Sequence, residues 1–207
     1  MDAQKTMQLK PDLKSLSSKI PLAVFNLLRV FVFIVLVTAL FTASAIADDI
    51  KPLLKALGVL SVEPTVAVEI SLKDIDGEAV KISQYRGKIV FVNFWTSWCP
   101  DCREEMPGIE RLHKRFGKDD FVVLAINLQE SAATARRFMA RMKLSFKTLM
   151  DSKGKVGLRF GVRSIPTTYI LNREGQIVAR AFGPRDWDGP AAYKLFETLI
   201  AAKKVKK

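Results

Sequence analysis

Cys99 and Cys102 are the only cysteines in the 207-residue chain, and Pro100 and Asp101 separate them. Two intervening residues let both sulfurs meet within one helical turn. Such a pair can run thiol–disulfide exchange: one thiolate attacks a partner disulfide, and the second thiol resolves the mixed disulfide that forms. A solitary CxxC also fits half of a metal site or two incidental thiols. Two cysteines and one histidine fall short of the ligands a closed zinc site needs, and of the cysteines a disulfide-stapled scaffold needs. A Cys–His nucleophile pair would have to use His113. That residue stands in Arg111-Leu112-His113-Lys114-Arg115, a pattern read as the exposed face of a helix.

Position favours the redox reading. Ile89-Val90-Phe91-Val92-Asn93-Phe94-Trp95 is β-branched and aromatic with little alternation, as a strand buried on both faces should be. The cysteines follow it directly and open a helix predicted over Glu104–Phe116 and ended by Gly117. At a helix N-terminus the free N–H groups and the dipole favour a thiolate on the first cysteine. Cys99 is therefore expected to be the more exposed, attacking sulfur, and Cys102 the resolving one.

The surrounding pattern supplies a scaffold. Val66–Leu72 and Val80–Ile82 flank the turn Asp74-Ile75-Asp76-Gly77 and read as a hairpin. Phe121–Ile126 reads as a second buried strand and Ala132–Met142 as a helix. Thr167–Leu171 and Gln176–Phe182 pair across the turn Asn172–Gly175, and Pro190–Lys203 closes as an amphipathic helix. A βαβ unit, a hairpin and a last helix predict a mixed α/β sheet with helices on both faces.

The N-terminal third reads differently. Residues 1–29 are basic, and Val30–Ala47 carries no charge over 18 residues. As a helix this stretch would reach about 27 Å at ~1.5 Å per residue, near the thickness of a bilayer core. Basic residues before it and Asp48-Asp49 after it predict the rest of the chain on the far side of the membrane. Ala43-Ser44-Ala45 and Ala45-Ile46-Ala47 also resemble a signal-peptidase site, so the segment is read as an anchor or a long signal helix cleaved near Ala47. Residues 48–63 are read as a connector, with Ile50, Leu53, Leu54, Leu57 and Leu60 at helical spacing, and 64–207 as the domain. The net charge of +12 is dispersed apart from Lys203, Lys204, Lys206 and Lys207, so no nucleic-acid partner is expected.

Val92-Asn93-Phe94-Trp95-Thr96-Ser97-Trp98-Cys99-Pro100-Asp101-Cys102-Arg103-Glu104-Glu105-Met106-Pro107 resembles the active-site signature of membrane-tethered thioredoxin-like reductases of the TlpA/ResA/CcmG type, whose domain is of the AhpC/TSA–Redoxin kind. Lys73–Gly77, Gly87-Lys88 and Ser164-Ile165-Pro166-Thr167-Thr168 are similar to theirs too. The resemblance covers about Pro64 to Ala201. It implies a thioredoxin fold with an added N-terminal β-hairpin, in which Pro166 is the cis-proline facing the cysteines. It also implies that Trp98, Ile165, Pro166 and Thr167 meet a bound peptide, and that Glu105 is a carboxylate beside the thiols. Residues i and i+3 share a helix face, so Glu105 is placed to serve Cys102; a first-turn Glu favoured only by the helix dipole is the competing reading. Asn93 stands where cytoplasmic thioredoxins carry a buried acid.

These features lead to an expected extracytoplasmic thiol–disulfide oxidoreductase. Its redox group is the Cys99–Cys102 pair with no other cofactor and no metal. Its partners are protein disulfides, a membrane electron donor and, through the N-terminal helix, the membrane itself. Family precedents are apocytochrome c haem-site cysteines and other metalloprotein thiols. Asp101 between the cysteines should disfavour the thiolate and bias the couple towards a reductant. The competing readings are a general thiol oxidase or isomerase, a peroxiredoxin-like peroxidase, and a binding module with a structural disulfide.

Overall fold

The computed structural model describes residues 26–27, 29–33, 50–118 and 120–202. The chain divides into two units, 1–44 and 45–207. In the first, the described residues are helical, with Leu27, Val30, Phe31 and Phe33 exposed. The expected anchor over 30–47 lies outside the described residues beyond position 33, as does the tail 203–207. Among the described residues no helix is long and apolar enough to cross a membrane.

The second unit is built on one eight-stranded sheet. Its strands are β1 Leu60–Val66, β2 Ser71–Asp74, β3 Ala79–Lys81, β4 Ile89–Trp95, β5 Phe121–Leu128, β6 Lys147–Asp151, β7 Thr167–Leu171 and β8 Gln176–Phe182. The spatial order is β1-β8-β7-β4-β5-β6-β2-β3. β4–β5 and β5–β6 are parallel, and every other pairing is antiparallel. The helices are α1 over residues 50–56, α2 Pro100–Phe116, α3 Ala132–Met142, α4 Lys155–Arg159 and α5 Pro190–Ala201.

β4 lies at the centre and is buried along its whole length. Its alternate residues divide the core. Phe91 and Trp95 join Met106, Ile109 and Leu112 of α2, Phe138 of α3 and Leu195 and Phe196 of α5. Val90, Val92 and Phe94 face the other way, towards Leu149, Phe160 and Tyr169. The helices are thus unequally shared: α1, α2, α3 and α5 cover one face. The other is covered by α4, a 3-10 turn at Ile82–Tyr85 and the residues leading into β2. Both parallel crossovers run in the same direction along the sheet, so right-handed connections put α2 and α3 on the same side.

The expected β2–β3 hairpin forms around Asp74–Gly77, with Leu72 opposite Val80. The residues assigned to the connector are part of the body: Ile50, Leu54, Leu57 and Val59 are buried in the α2 face, and Leu60 begins β1. β1 is an exposed edge strand whose register with β8 shifts between Ser61 and Thr65, around Pro64. An edge is where a strand tolerates a proline that donates no hydrogen bond.

Candidate active site

The end of β4 delivers the chain through Thr96-Ser97-Trp98 to Cys99, which caps α2. Cys99 has extended backbone, φ −74° and ψ 116°, and its Sγ accepts the backbone N–H of Cys102 at 3.2 Å. Pro100 occupies the first helical position, where a missing N–H costs nothing because that donor has no intrahelical partner. A sulfur thus takes the place of the usual capping oxygen. The same N–H would stabilise a thiolate there once the disulfide opens.

Cys99 and Cys102 form a disulfide with Cα atoms 5.3 Å apart. Cys102 is fully buried and Cys99 is 4% exposed, so only the first cysteine reaches the surface. The Ile165–Pro166 peptide is cis, and the Ile165 carbonyl oxygen lies 3.9 Å from Cys99 Sγ. Trp98, the residue before Cys99, is 68% exposed, and Ile165 is half-buried. Pro166 and Thr167 are buried, and the Thr167 hydroxyl donates to the Ser164 carbonyl at 2.6 Å, closing the turn that carries Pro166. Asp101 is exposed on the first turn of α2.

Glu105 faces inward from α2 and is 4% exposed. Asn93 Nδ2 on β4 donates to its Oε1 at 2.8 Å, and the same amide donates to Thr168 Oγ1 at 3.0 Å. Its Oε2 accepts the Trp187 indole N–H at 2.9 Å and the Arg185 backbone N–H at 3.3 Å. Burial raises its pKa from 4.5 to about 7, against the pull of these donors. Glu110 on the same helix makes the contrast. It is also buried, but two hydrogen bonds from Ser145 and an ion pair with Lys114 at 3.1 Å hold its carboxyl below the usual range. Glu105 meets neutral donors only at close range, and so stays poised to exchange a proton near neutrality. It borders a cavity of about 320 Å³ lined by Gly108, Arg111, Asp186 and Asp188, which opens a way from the carboxyl to solvent.

Two contributors were not anticipated. Trp187, fully buried, meets Phe91 edge-on at 4.8 Å and Glu105, 82 residues away in sequence, through its indole. Glu130 accepts the Ser97 backbone N–H at 2.8 Å, the Ser97 hydroxyl at 2.6 Å and Asn127 Nδ2 at 2.6 Å, fixing the turn before Cys99. Neither residue carries a local signal, since each depends on contacts between segments remote in sequence.

His113 differs from its expected surface placement. It is half-buried with its ring edge-on to Phe146 at 6.3 Å, and burial lowers its pKa. Leu144–Phe146 folds back over that turn of α2, with Ser145 bound to Glu110, and covers a face that the helical pattern alone leaves open.

The relatives are consistent with this arrangement. The thiol-disulfide oxidoreductase ResA of Halalkalibacterium halodurans is 38% identical over 112 residues, 54% of this chain and 64% of that protein. The chain therefore spans less than two thirds of that relative's length. The sporulation thiol-disulfide oxidoreductase A of Bacillus subtilis is 27% identical over 162 residues, covering 77% of this chain and 90% of that protein. Among solved structures, a DsbE-type thiol:disulfide interchange protein of Chlorobium tepidum superposes with a TM-score of 0.63 at 27% identity, covering 69% of this chain and 100% of the other. These similarities establish the thioredoxin-like α/β fold. Residues 65–180, more than half of the sequence, match the AhpC/TSA family, and the chain belongs to it.

Proposed function

We propose that the chain is an extracytoplasmic thiol–disulfide oxidoreductase that reduces selected protein disulfides. The observation that carries this reading is the Cys99–Cys102 pair at the start of α2, with the Ile165 carbonyl 3.9 Å from Cys99 Sγ and the preceding residue, Trp98, exposed. In the reduced state the Cys99 thiolate attacks one sulfur of a substrate disulfide, and the other substrate sulfur leaves as a thiolate. Cys102 then loses its proton and attacks Cys99 Sγ. The second substrate sulfur departs and the Cys99–Cys102 disulfide forms. Two electrons pass to the substrate, whose two thiolates take up protons.

Glu105 is the proposed proton acceptor for Cys102. It is three residues further along the same helix, and a pKa of about 7 lets it give and take a proton at neutral pH. Asp101, between the two cysteines in sequence, disfavours the Cys99 thiolate and biases the couple towards reduction of substrates. The redox equivalents reside in the two sulfurs without a further cofactor. A membrane electron donor re-reduces the pair, and the apolar stretch 30–47 holds the domain at the membrane or exports it. Haem-site cysteines of apocytochrome c, or other metalloprotein thiols, are the proposed substrates.

Trapping tests the mechanism. Cys102→Ala in the full chain leaves the mixed disulfide on Cys99 unresolved. A covalent adduct that disappears on reduction and on adding Cys99→Ser is expected. Absence of any Cys99-dependent adduct overturns the exchange mechanism, and a redox titration placing the couple among strong oxidants overturns its direction.

A further inference from the structure

We propose that a cavity between β2, β6 and α4 is a docking surface for an acidic segment of the protein whose disulfide is exchanged at Cys99; the proposal rests on the oxidoreductase reading above. The cavity measures about 910 Å³. Lys73, Lys153, Lys155 and Arg159 line it, and all four are exposed. Among the described residues, none of the four has an ion-pair or side-chain hydrogen-bond partner.

Carboxylates in the same cavity are already engaged. Asp74 is held by the Lys147 ammonium at 2.9 Å and accepts the N–H groups of Asp76 and Glu78. Asp76 pairs with Arg136, and Asp151 is buried and accepts the Gly157 N–H at 2.8 Å. Four positive charges therefore line one concavity, in which Asp74 and Asp76 are ion-paired to Lys147 and Arg136 and only the buried Asp151 opposes them. Leu72, Met150 and Val156 supply an apolar floor beneath them. A peptide with Asp or Glu side chains flanking an apolar residue matches both features. A flat lipid surface would reach the rim but not this recessed floor.

Position ties the cavity to the redox site. β4, β5 and β6 are parallel, so Asp151 and Ser152 emerge at the same sheet edge as Trp95 and Cys99. With strands about 4.8 Å apart, β6 lies two spacings and β2 three spacings from β4, roughly 10–15 Å. One extended segment of four or five residues spans that in-plane distance at about 3.3 Å per residue, and it then rounds the strand ends from the α2 face, where the cysteines lie, to the α4 face. The two places are also bonded together: the Ser152 hydroxyl donates to the Glu130 carbonyl at 3.1 Å, and the Glu130 carboxylate holds Ser97.

The experiment uses the full chain and two synthetic disulfide peptides. One carries an Asp/Glu-rich segment five residues from its cysteine, and the other has Ser and Gln in its place. At low salt the parent is expected to reduce the acidic peptide with a kcat/KM about tenfold higher, an advantage that fades as salt shortens the screening length towards ~3 Å at 1 M. Reversing the rim with Lys153→Glu, Lys155→Glu and Arg159→Glu together is expected to abolish the preference and leave the neutral peptide's rate unchanged. Equal rates for both peptides with the parent, or a preference that survives the reversal, overturn the proposal. If neither peptide is reduced, the oxidoreductase reading fails separately. Docking is then read by fluorescence anisotropy of a cysteine-free acidic peptide, whose binding must be lost in the reversed variant. Should the reversal remove only binding to anionic phosphatidylglycerol vesicles and spare both peptide readouts, the surface is a lipid contact and the proposal is wrong.

Discussion

The Trp187 indole donates to Glu105 Oε2 at 2.9 Å, joining the loop after β8 to the first turns of the cysteine-bearing helix. The contact does two jobs at once. The ring packs edge-on against Phe91 beneath the sheet, and its N–H gives a buried carboxylate one of its few donors. The acid is thereby held at a pKa of about 7, where a proton can be gained or lost. Without such donors the buried acid would stay protonated to higher pH.

Trp187→Phe should separate these jobs. Phenylalanine retains much of the contact with Phe91 but donates nothing to Glu105. The carboxylate then loses a hydrogen bond that favours its charged form, so its pKa should rise above about 7. The stability cost should be about 1–3 kcal/mol at pH 8 and smaller at pH 5, where the acid is protonated. Denaturant unfolding at both pH values checks this. An equal loss at both would mean that the indole serves only as packing.

Glu105→Gln tests the titration itself. The folded value of about 7 lies above the unfolded 4.5, so between them the folded state holds a proton that the unfolded state has released. Stability from this group is full below about pH 4.5 and is lost as pH rises through about 7. The parent should therefore lose up to about 3 kcal/mol between pH 5 and pH 8 that the glutamine variant does not lose. Any constant penalty of the amide cancels from this difference. The variant should also exchange disulfides more slowly, with a flatter pH–rate profile near neutrality. Parallel stability curves for the two proteins would remove Glu105 from the list of titrating groups.

How much of this site was readable before folding depends on which contacts are local. β4 announced itself because a strand buried on both faces needs an unbroken apolar run, and the cysteines follow it within one turn. α3, β7 and β8 keep their predicted bounds because each carries its own periodicity or turn chemistry. β6, Lys147–Asp151, was not foreseen. Five residues with a charge at each end form a strand here only because β5 and β2 pair with them on either side. α4 spans five residues and is too short to show a helical period. The partners of Glu105 were hidden for a similar reason: Asn93, Arg185 and Trp187 lie 12 to 82 residues away and meet it only after the sheet has closed.

Packing below the disulfide gives a prediction about stability alone. Trp95, the last residue of β4, lies 5.0 Å from the Phe138 ring of α3, and both are in the core that also contains the cysteines. Phe138→Ala leaves a cavity against Trp95 and should cost about 3–5 kcal/mol. Urea unfolding followed by tryptophan fluorescence measures it. A loss below 1 kcal/mol would mean that α3 collapses into the gap.

Glu130 holds the turn that leads into Cys99. Its carboxylate is the acceptor for both the backbone N–H and the hydroxyl of Ser97, two residues before Cys99, and Asn127 braces it from β5. Glu130→Ala leaves the Ser97 N–H without its acceptor and frees the turn 96–98. A hydrogen bond to a charged group contributes about 1.5–3 kcal/mol, so presentation of Cys99 should suffer by roughly tenfold or more in rate. The buried Asn127 amide also loses its acceptor, at about 1–3 kcal/mol, so the melting temperature should fall by several degrees while the exchange rate of the still-folded protein drops as well. Glu130→Gln keeps one acceptor oxygen and should recover part of the rate. If both variants reduce a peptide disulfide as fast as the parent, the turn before Cys99 is held by the strand and helix alone, and Glu130 has no share in positioning the sulfur.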